Sequence, residues 1–198
     1  LNASGPAPKS LSVAALKDRG FEKIPSYGVE PIDVPGAVAG WMKLHERFGK
    51  LPLEEVMAPA IRYAEKGYPV TPNISRLWQE AFENYSKYRD RPEFQGWFDT
   101  FAPNNTWLKP GEMFRCPDMA KTLKEIAATK GEAFYRGAIA EKIDAFFKKH
   151  NGFLTKEDLA AFKPEWVDPI SVNYHGVDVW ELPPNGHGIT AVSYTHLT

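Results

Sequence analysis

Apolar positions in residues 34–70 recur at helical spacing in two consecutive stretches. In the first, Val38, Trp41, Met42 and Phe48 mark one face, and Glu46 and Lys50 lie four apart on another, where they can pair. Pro35-Gly36 opens this helix and Gly49 closes it, the usual order of helix punctuation. In the second, Leu53, Val56, Met57, Ala60, Ile61 and Ala64 keep the spacing of a buried stripe, and Glu54, Glu55, Arg62, Glu65 and Lys66 fall mostly away from it. Pro59 has no amide proton and its ring crowds the preceding turn, so a kink or restart is expected there. Gly67 is expected to end the helix in a left-handed cap.

The same period places further helices along the chain. One is expected within residues 9–19, marked by Leu11, Ala14, Ala15 and Asp18. Residues 20–34 read as loop, broken by Pro25, Gly28 and Pro31. Trp78, Phe82, Tyr85 and Arg89 predict a helix over 73–88, and residues 103–105 and 109–111 read as turns. Cys116-Pro117-Asp118 starts another helix, with Met119, Leu123, Ile126 and Ala127 as its buried face and Gly131 as its end. Ile139, Ile143, Phe146 and Phe147 mark the next, ending near Asn151-Gly152. Thr155 caps a short helix, with Asp158 three residues on completing an aspartate version of the capping box.

At residues 169–182 the period changes to two. Ile170, Val172 and Tyr174 alternate with Ser171 and Asn173, and Val177 and Val179 alternate with Asp178 and Trp180. With His175-Gly176 between them, these runs predict a hairpin with a two-residue turn, the first clear sheet in the chain. A proline- and glycine-rich loop follows, and a new helix is expected near Ile189.

Composition narrows the function classes. At 198 residues the chain can bury a core of its own, and 43% hydrophobic with 25% charged residues is ordinary for a globular protein. A net charge of -1 without a long basic run argues against nucleic acid or an acidic membrane surface as the main partner. No apolar run approaches the roughly 20 residues of a membrane helix. Cys116 is the single cysteine, so neither an internal disulfide nor a multi-cysteine metal site is available. The compartment stays open, periplasmic and cytoplasmic both fitting. The chain opens on Leu1 and reads as starting within a longer protein.

Several side chains carry candidate chemistry. His45 near an apolar stripe suits a general base, but no motif places an acid or nucleophile beside it, so a packing histidine is the better reading. Cys116 has only Arg115 as a specified cationic neighbour and reads as a small packing residue. Glu157 and Asp158 could form a carboxylate pair, though a helix start explains them fully. The aromatics of residues 78–107 could stack sugars or bases. They lack an interleaved basic run and are better read as packing against the domain body.

The wording of the pattern is more specific than its period. VPGAVAGW followed by HERFGKLPLEEVMAPAIRYAEKGYPV resembles the large subunit of the gamma-glutamyltranspeptidase family of N-terminal-nucleophile hydrolases. The resemblance recurs at residues 117–120, in GEAFYRGAIAEKI and GFLTKEDLAAF, and through the proline-pair loop as far as Ala191, so it covers nearly the whole chain. It implies an α+β fold: the helix-rich part of an αββα sandwich, incomplete here, mostly helices plus a C-terminal β-hairpin, over residues 1–192.

The resemblance also implies a chemistry. In such enzymes a threonine freed at a new chain end by self-cleavage attacks the amide, and its own α-amine is the general base. That threonine opens a small subunit derived from the same precursor, in a Thr-Thr-His context beyond this segment, so the catalytic group is expected to be absent here. Thr195-His196 echoes that context without a core strand to present it and is read as coincidence. The implied substrate is a small-molecule gamma-glutamyl or related acyl amide, and the implied chemistry needs no metal or organic cofactor. The family's arginine, which grips the substrate α-carboxylate, would fall at Ser4 or, in some branches, at Pro6; here both lack it. Pro183, Pro184, Asn185, Gly186 and Gly188 form the loop that in the family supports the active site without supplying the nucleophile, and His187 within it reads as structural.

Residues 193–198 depart from the family pattern and are read as a non-native tail. Two function classes remain. One is a segment of a gamma-glutamyltranspeptidase-like amidohydrolase whose missing arginine points to a hydrolase or acylase with altered acyl specificity. The other is a non-catalytic helical binding module using the aromatic region 78–107.

Overall fold

A computed structural model describes residues 1–183, 185–188, 190 and 193. Among them the helices are α1 Val13–Asp18, α2 Ala37–Phe48, α3 Leu53–Lys66, α4 Pro72–Ser86, α5 Gln95–Phe101, α6 Pro117–Ala128, α7 Glu132–Tyr135, α8 Ala138–Lys149 and α9 Lys156–Ala161. The strands are β1 Tyr68–Pro69, β2 Met113–Phe114, β3 Ile170–Tyr174 and β4 Val177–Glu181. Both sheets are two-stranded and antiparallel, so the architecture is α+β and helix-rich. The helix expected near Ile189, the Thr195-His196 pair and the suspected tail apart from Ser193 lie outside the described residues.

The core forms where the helical stripes meet. Val38 of α2, Leu53 and Met57 of α3, Ile126 and Ala127 of α6, and Ile139 and Phe147 of α8 are buried in one cluster with Val34, Tyr135, Leu154, Leu159 and Phe162. α3 lies along α6, and Lys124 and Glu65 pair across their exposed side. Burial of such side chains stabilises by about 1.5–3 kcal/mol each, which is why the stripes dictate the packing. The aromatic stretch makes a second, smaller cluster: Phe94, Phe98 and Ala102, flanked by Phe82, Tyr85, Tyr88 and Trp97.

Several details differ from the reading of the sequence. Trp41 and Phe48 of α2 are exposed, because the core takes the Val38, Ala39 and Met42 side of that helix, while Gly40 lies against Ala3. Glu46 pairs with Lys43 at 2.9 Å, since Lys50 lies beyond the end of the helix. α3 runs unbroken through Pro59, whose lost bond falls on a helix already anchored at both ends by Leu53 and the α6 contact. Gly67 does end α3, but at φ 88 and ψ 171, an extended glycine conformation and not a left-handed helical one. Val56, Met119 and Phe146 are exposed, and Ala120 takes the inward position of α6. The first helix is shorter, beginning after the Ser12 cap, and its buried residue is Leu16. The pairing of β1 with β2 had no period to announce it, each strand being two residues long.

The hairpin forms as the alternation predicts. Its turn has His175 at φ 49 and Gly176 at φ 83, both positive as a type I′ turn requires. Its register pairs Tyr174 with Val177 and Ile170 with Glu181. Among the described residues neither face is covered: Val177, Trp180 and Leu182 are at least 60% exposed. The accessible surface is 12979 Å², against about 9,400 Å² for a self-contained globule of this mass. Exposed large apolar side chains contribute to that surface, Val177, Trp180 and Leu182 of the hairpin region and Trp41, Leu44 and Phe48 of α2 among them.

Candidate functional site

The N-terminal segment is where the predicted site residues meet, and backbone contacts hold it in place. Asn2 and Glu165 exchange both amide–carbonyl bonds, at 2.7 and 2.8 Å. The Val34 amide donates to the Pro6 carbonyl at 3.0 Å. The Lys9 amide donates to the buried Asp158 carboxylate at 3.1 Å, and the Ser10 hydroxyl donates to the Phe153 carbonyl at 3.1 Å. Between these points Gly5 and Gly36 allow two backbones to touch: a Cβ on Gly5 would lie 1.7 Å from the Val34 oxygen, and one on Gly36 would lie 1.8 Å from the Ala3 oxygen.

This clamp presents Ser4 and Pro6 to the loop that follows the hairpin. Ser4, Pro6 and Asn185 share the lining of an open cavity of about 620 Å³ with Phe162, Lys163 and Glu165. Ser4 and Asn185 also line an adjoining cavity of about 300 Å³ with Pro183, Gly186 and Gly188. The Asn2 side-chain oxygen ties the two walls together, accepting from the Ser4 amide at 3.0 Å and from Asn185 Nδ2 at 3.5 Å. Gly188 packs closely, since a Cβ there would lie 2.6 Å from Glu181 Oε2; Gly186 is sterically free. Pro184 lies outside the described residues. Positions 4 and 6 and the loop near 185 are some 180 residues apart in sequence, and the fold makes them neighbours.

Lys163 and Glu165 were not singled out by sequence. They follow α9 in an extended segment, two residues apart, so their side chains leave on one face. The only sequence signal is their position beside Pro164 after a helix end.

The remaining candidates lie elsewhere. His45 is partly buried, as the packing reading expects, and its Nε2 is 2.8 Å from the Leu51 carbonyl oxygen, so it fastens the turn between α2 and α3. Cys116 precedes α6, its amide donating to the Ala64 carbonyl at 2.9 Å; Arg115 turns away and donates to the Lys66 carbonyl at 3.0 Å. Asp158 is buried and takes its hydrogen bonds from Thr155 and Lys9, whereas Glu157 is exposed, so the two are not a carboxylate pair. His187 lines the smaller cavity, and its carbonyl accepts from the Thr190 amide at 2.9 Å. Among the described residues no three histidine, cysteine or acidic side chains gather as a metal site.

The aromatics of residues 78–107 pack on one another. Tyr88 stacks on Phe94 with centroids 5.1 Å apart, and buried Trp78 donates its indole N–H to the Phe101 carbonyl at 2.9 Å. What they leave open is a shallow apolar groove between Ile74, Leu77 and Phe114.

Comparison with known proteins shows the family. Residues 1–197 match the family described as gamma-glutamyltranspeptidase, and the chain belongs to that family. It is 35% identical over 187 residues to the glutathione hydrolase proenzyme of Pseudomonas aeruginosa, covering 92% of this chain and 32% of that protein. The crystal structure of cephalosporin acylase from Bacillus halodurans superimposes with a TM-score of 0.96 at 49% identity, covering 100% of this chain and 37% of that one. The gamma-glutamyltranspeptidase of Helicobacter pylori gives a TM-score of 0.82 at 29% identity, covering 94% of this chain and 53% of that one. The chain spans about a third of the length of the curated relatives it matches.

Proposed function

We propose that the chain is the large-subunit segment of an N-terminal-nucleophile amidohydrolase that cleaves carboxylate-bearing acyl amides through an acyl-threonine. The threonine lies on a small subunit from the same precursor, and that subunit covers the exposed hairpin face. Water is the main acyl acceptor, so the enzyme is a hydrolase or acylase before it is a transpeptidase. The observation that carries this reading is the cavity shared by Ser4, Pro6 and Asn185, which has no guanidinium at either position where the family places one. A bidentate arginine fixes the α-carboxylate of a gamma-glutamyl group in one orientation. Without that fork the site selects less strictly for an α-amino acid end. The 49% identity to a cephalosporin acylase supports the same choice.

The test is to express the full reading frame of the parent gene and assay gamma-glutamyl and glutaryl p-nitroanilides, with and without a dipeptide acceptor. Hydrolysis of the glutaryl compound at least as fast as the gamma-glutamyl one, with little transfer, is expected. Preferential gamma-glutamyl transfer to the dipeptide would overturn the assignment.

A further inference from the structure

The larger cavity has a cation that the family pattern did not point to. Among the described residues that line it, Lys163 carries the one positive charge. Its backbone is fixed on both sides. Phe162 before it is buried, with its ring 5.9 Å from that of Tyr135, and Glu165 after it exchanges two backbone bonds with Asn2. Pro164 between them restricts the chain further. The side chain itself is exposed, and among the described residues no carboxylate lies within ion-pair distance of its ammonium. Lys163 lines this cavity with Ser4 and Asn185, and also a second cavity with Glu46 and Glu132; a lysine with a rigid root and no ion-pair partner among the described residues has the chemistry to meet an anion in the first.

We propose that Lys163 binds the carboxylate of the acyl group, doing with a point charge what the missing arginine would do with a fork. This rests on the amidohydrolase reading above. The two cations differ in a testable way. An ammonium is compact and holds a carboxylate without fixing its plane, so it accepts both a glutaryl end and an α-amino acid end. Glu165 on the same face opposes a bare carboxylate and favours one with an ammonium beside it. It therefore sets how far the site leans toward gamma-glutamyl groups.

The experiment compares the full-length enzyme with its Lys163→Gln and Lys163→Arg variants on glutaryl, gamma-glutamyl and pentanoyl p-nitroanilides, the last being a neutral acyl of equal length. Lys163→Gln should lower the ratio of glutaryl to pentanoyl kcat/KM roughly tenfold, chiefly through KM, and Lys163→Arg should restore most of it. Glu165→Gln should move the glutaryl to gamma-glutamyl ratio upward. An unchanged glutaryl to pentanoyl ratio in Lys163→Gln overturns the proposal while leaving the amidohydrolase intact, whereas a wild-type enzyme that accepts only pentanoyl overturns both. A wild-type enzyme inactive on all three overturns both.

Discussion

The α-carbon of Gly36 faces the Ala3 carbonyl so closely that a Cβ would lie 1.8 Å from the oxygen. Backbone, unlike a flexible side-chain end, cannot swing aside. Gly36→Ala should therefore displace the segment carrying Ser4 and destabilise the protein by about 1–3 kcal/mol. In the full-length protein it should also reduce the proposed amide hydrolysis beyond what the lost stability explains. Gly96 is the contrast: it lies in α5, where an added Cβ would have no neighbour within 4 Å. Gly96→Ala should stabilise by about 0.5–1 kcal/mol. Thermal melts of the two variants beside the parent protein check both signs.

Tyr135 staples the start of α2 from a distance of 100 residues in sequence. Its hydroxyl donates to the Pro35 carbonyl at 2.7 Å and accepts from the Ala39 amide at 3.0 Å, an amide in the first turn with no partner inside the helix. Tyr135→Phe orphans both groups and should cost about 1–3 kcal/mol. Burial raises the hydroxyl's pKa above its ordinary 10.0. The protonated form is thus favoured by folding, and this contribution is complete below pH 10 and lost as the pH rises through the folded value. Denaturant melts at rising alkaline pH should show the parent losing stability faster than Tyr135→Phe.

Asp144 gives the opposite dependence. Its carboxylate accepts from Lys148 at 2.6 Å and from the Lys156 amide at 3.1 Å. The Lys148 hydrogen bond is the largest cause of a pKa held below the ordinary 3.8, with the Lys156 amide adding to it against the cost of burial. A depressed folded pKa means stability present above pH 3.8 and lost as the pH falls through the folded value. Asp144→Asn should cost about 1 kcal/mol at neutral pH and flatten the acid limb of a stability–pH curve. Equal acid limbs in parent and variant would contradict this role.

The elements that could be read from sequence are those whose signal is local. The Thr155–Asp158 box formed with both of its reciprocal bonds, because a cap needs only residues three apart. The hairpin turn at His175-Gly176 formed because two positive φ angles suit that pair. Where the reading failed, the deciding partner was remote. Trp41 and Phe48 have the right spacing for a core face, yet of the predicted face only Val38 and Met42 meet the core. β1 and β2 are too short to carry a period. The site divides the same way. Ser4, Pro6 and the loop at Asn185 were singled out as candidates through family wording, whereas Lys163 and Glu165 join the cavity they line only through the backbone pairing of Asn2 with Glu165.

The exposed face decides how the 198-residue chain behaves alone. Among the described residues the hairpin has no layer on either side, and Trp180, Leu182 and Val177 stand in solvent with Trp41, Leu44 and Phe48 of α2. Strand edges left open in this way pair with other chains. The apolar contacts that would otherwise offset the entropy of ordering the hairpin are missing. The helical core around Leu154 and Leu159 is nonetheless well buried, so secondary structure should persist. The expected state is therefore compact and helical with loosened tertiary packing. It should bind an apolar dye, give a broad melt by near-ultraviolet circular dichroism and associate as concentration rises. Expression of the full reading frame should sharpen the melt and abolish dye binding. A sharp, cooperative, concentration-independent melt of the 198-residue chain would show that the hairpin face needs no cover.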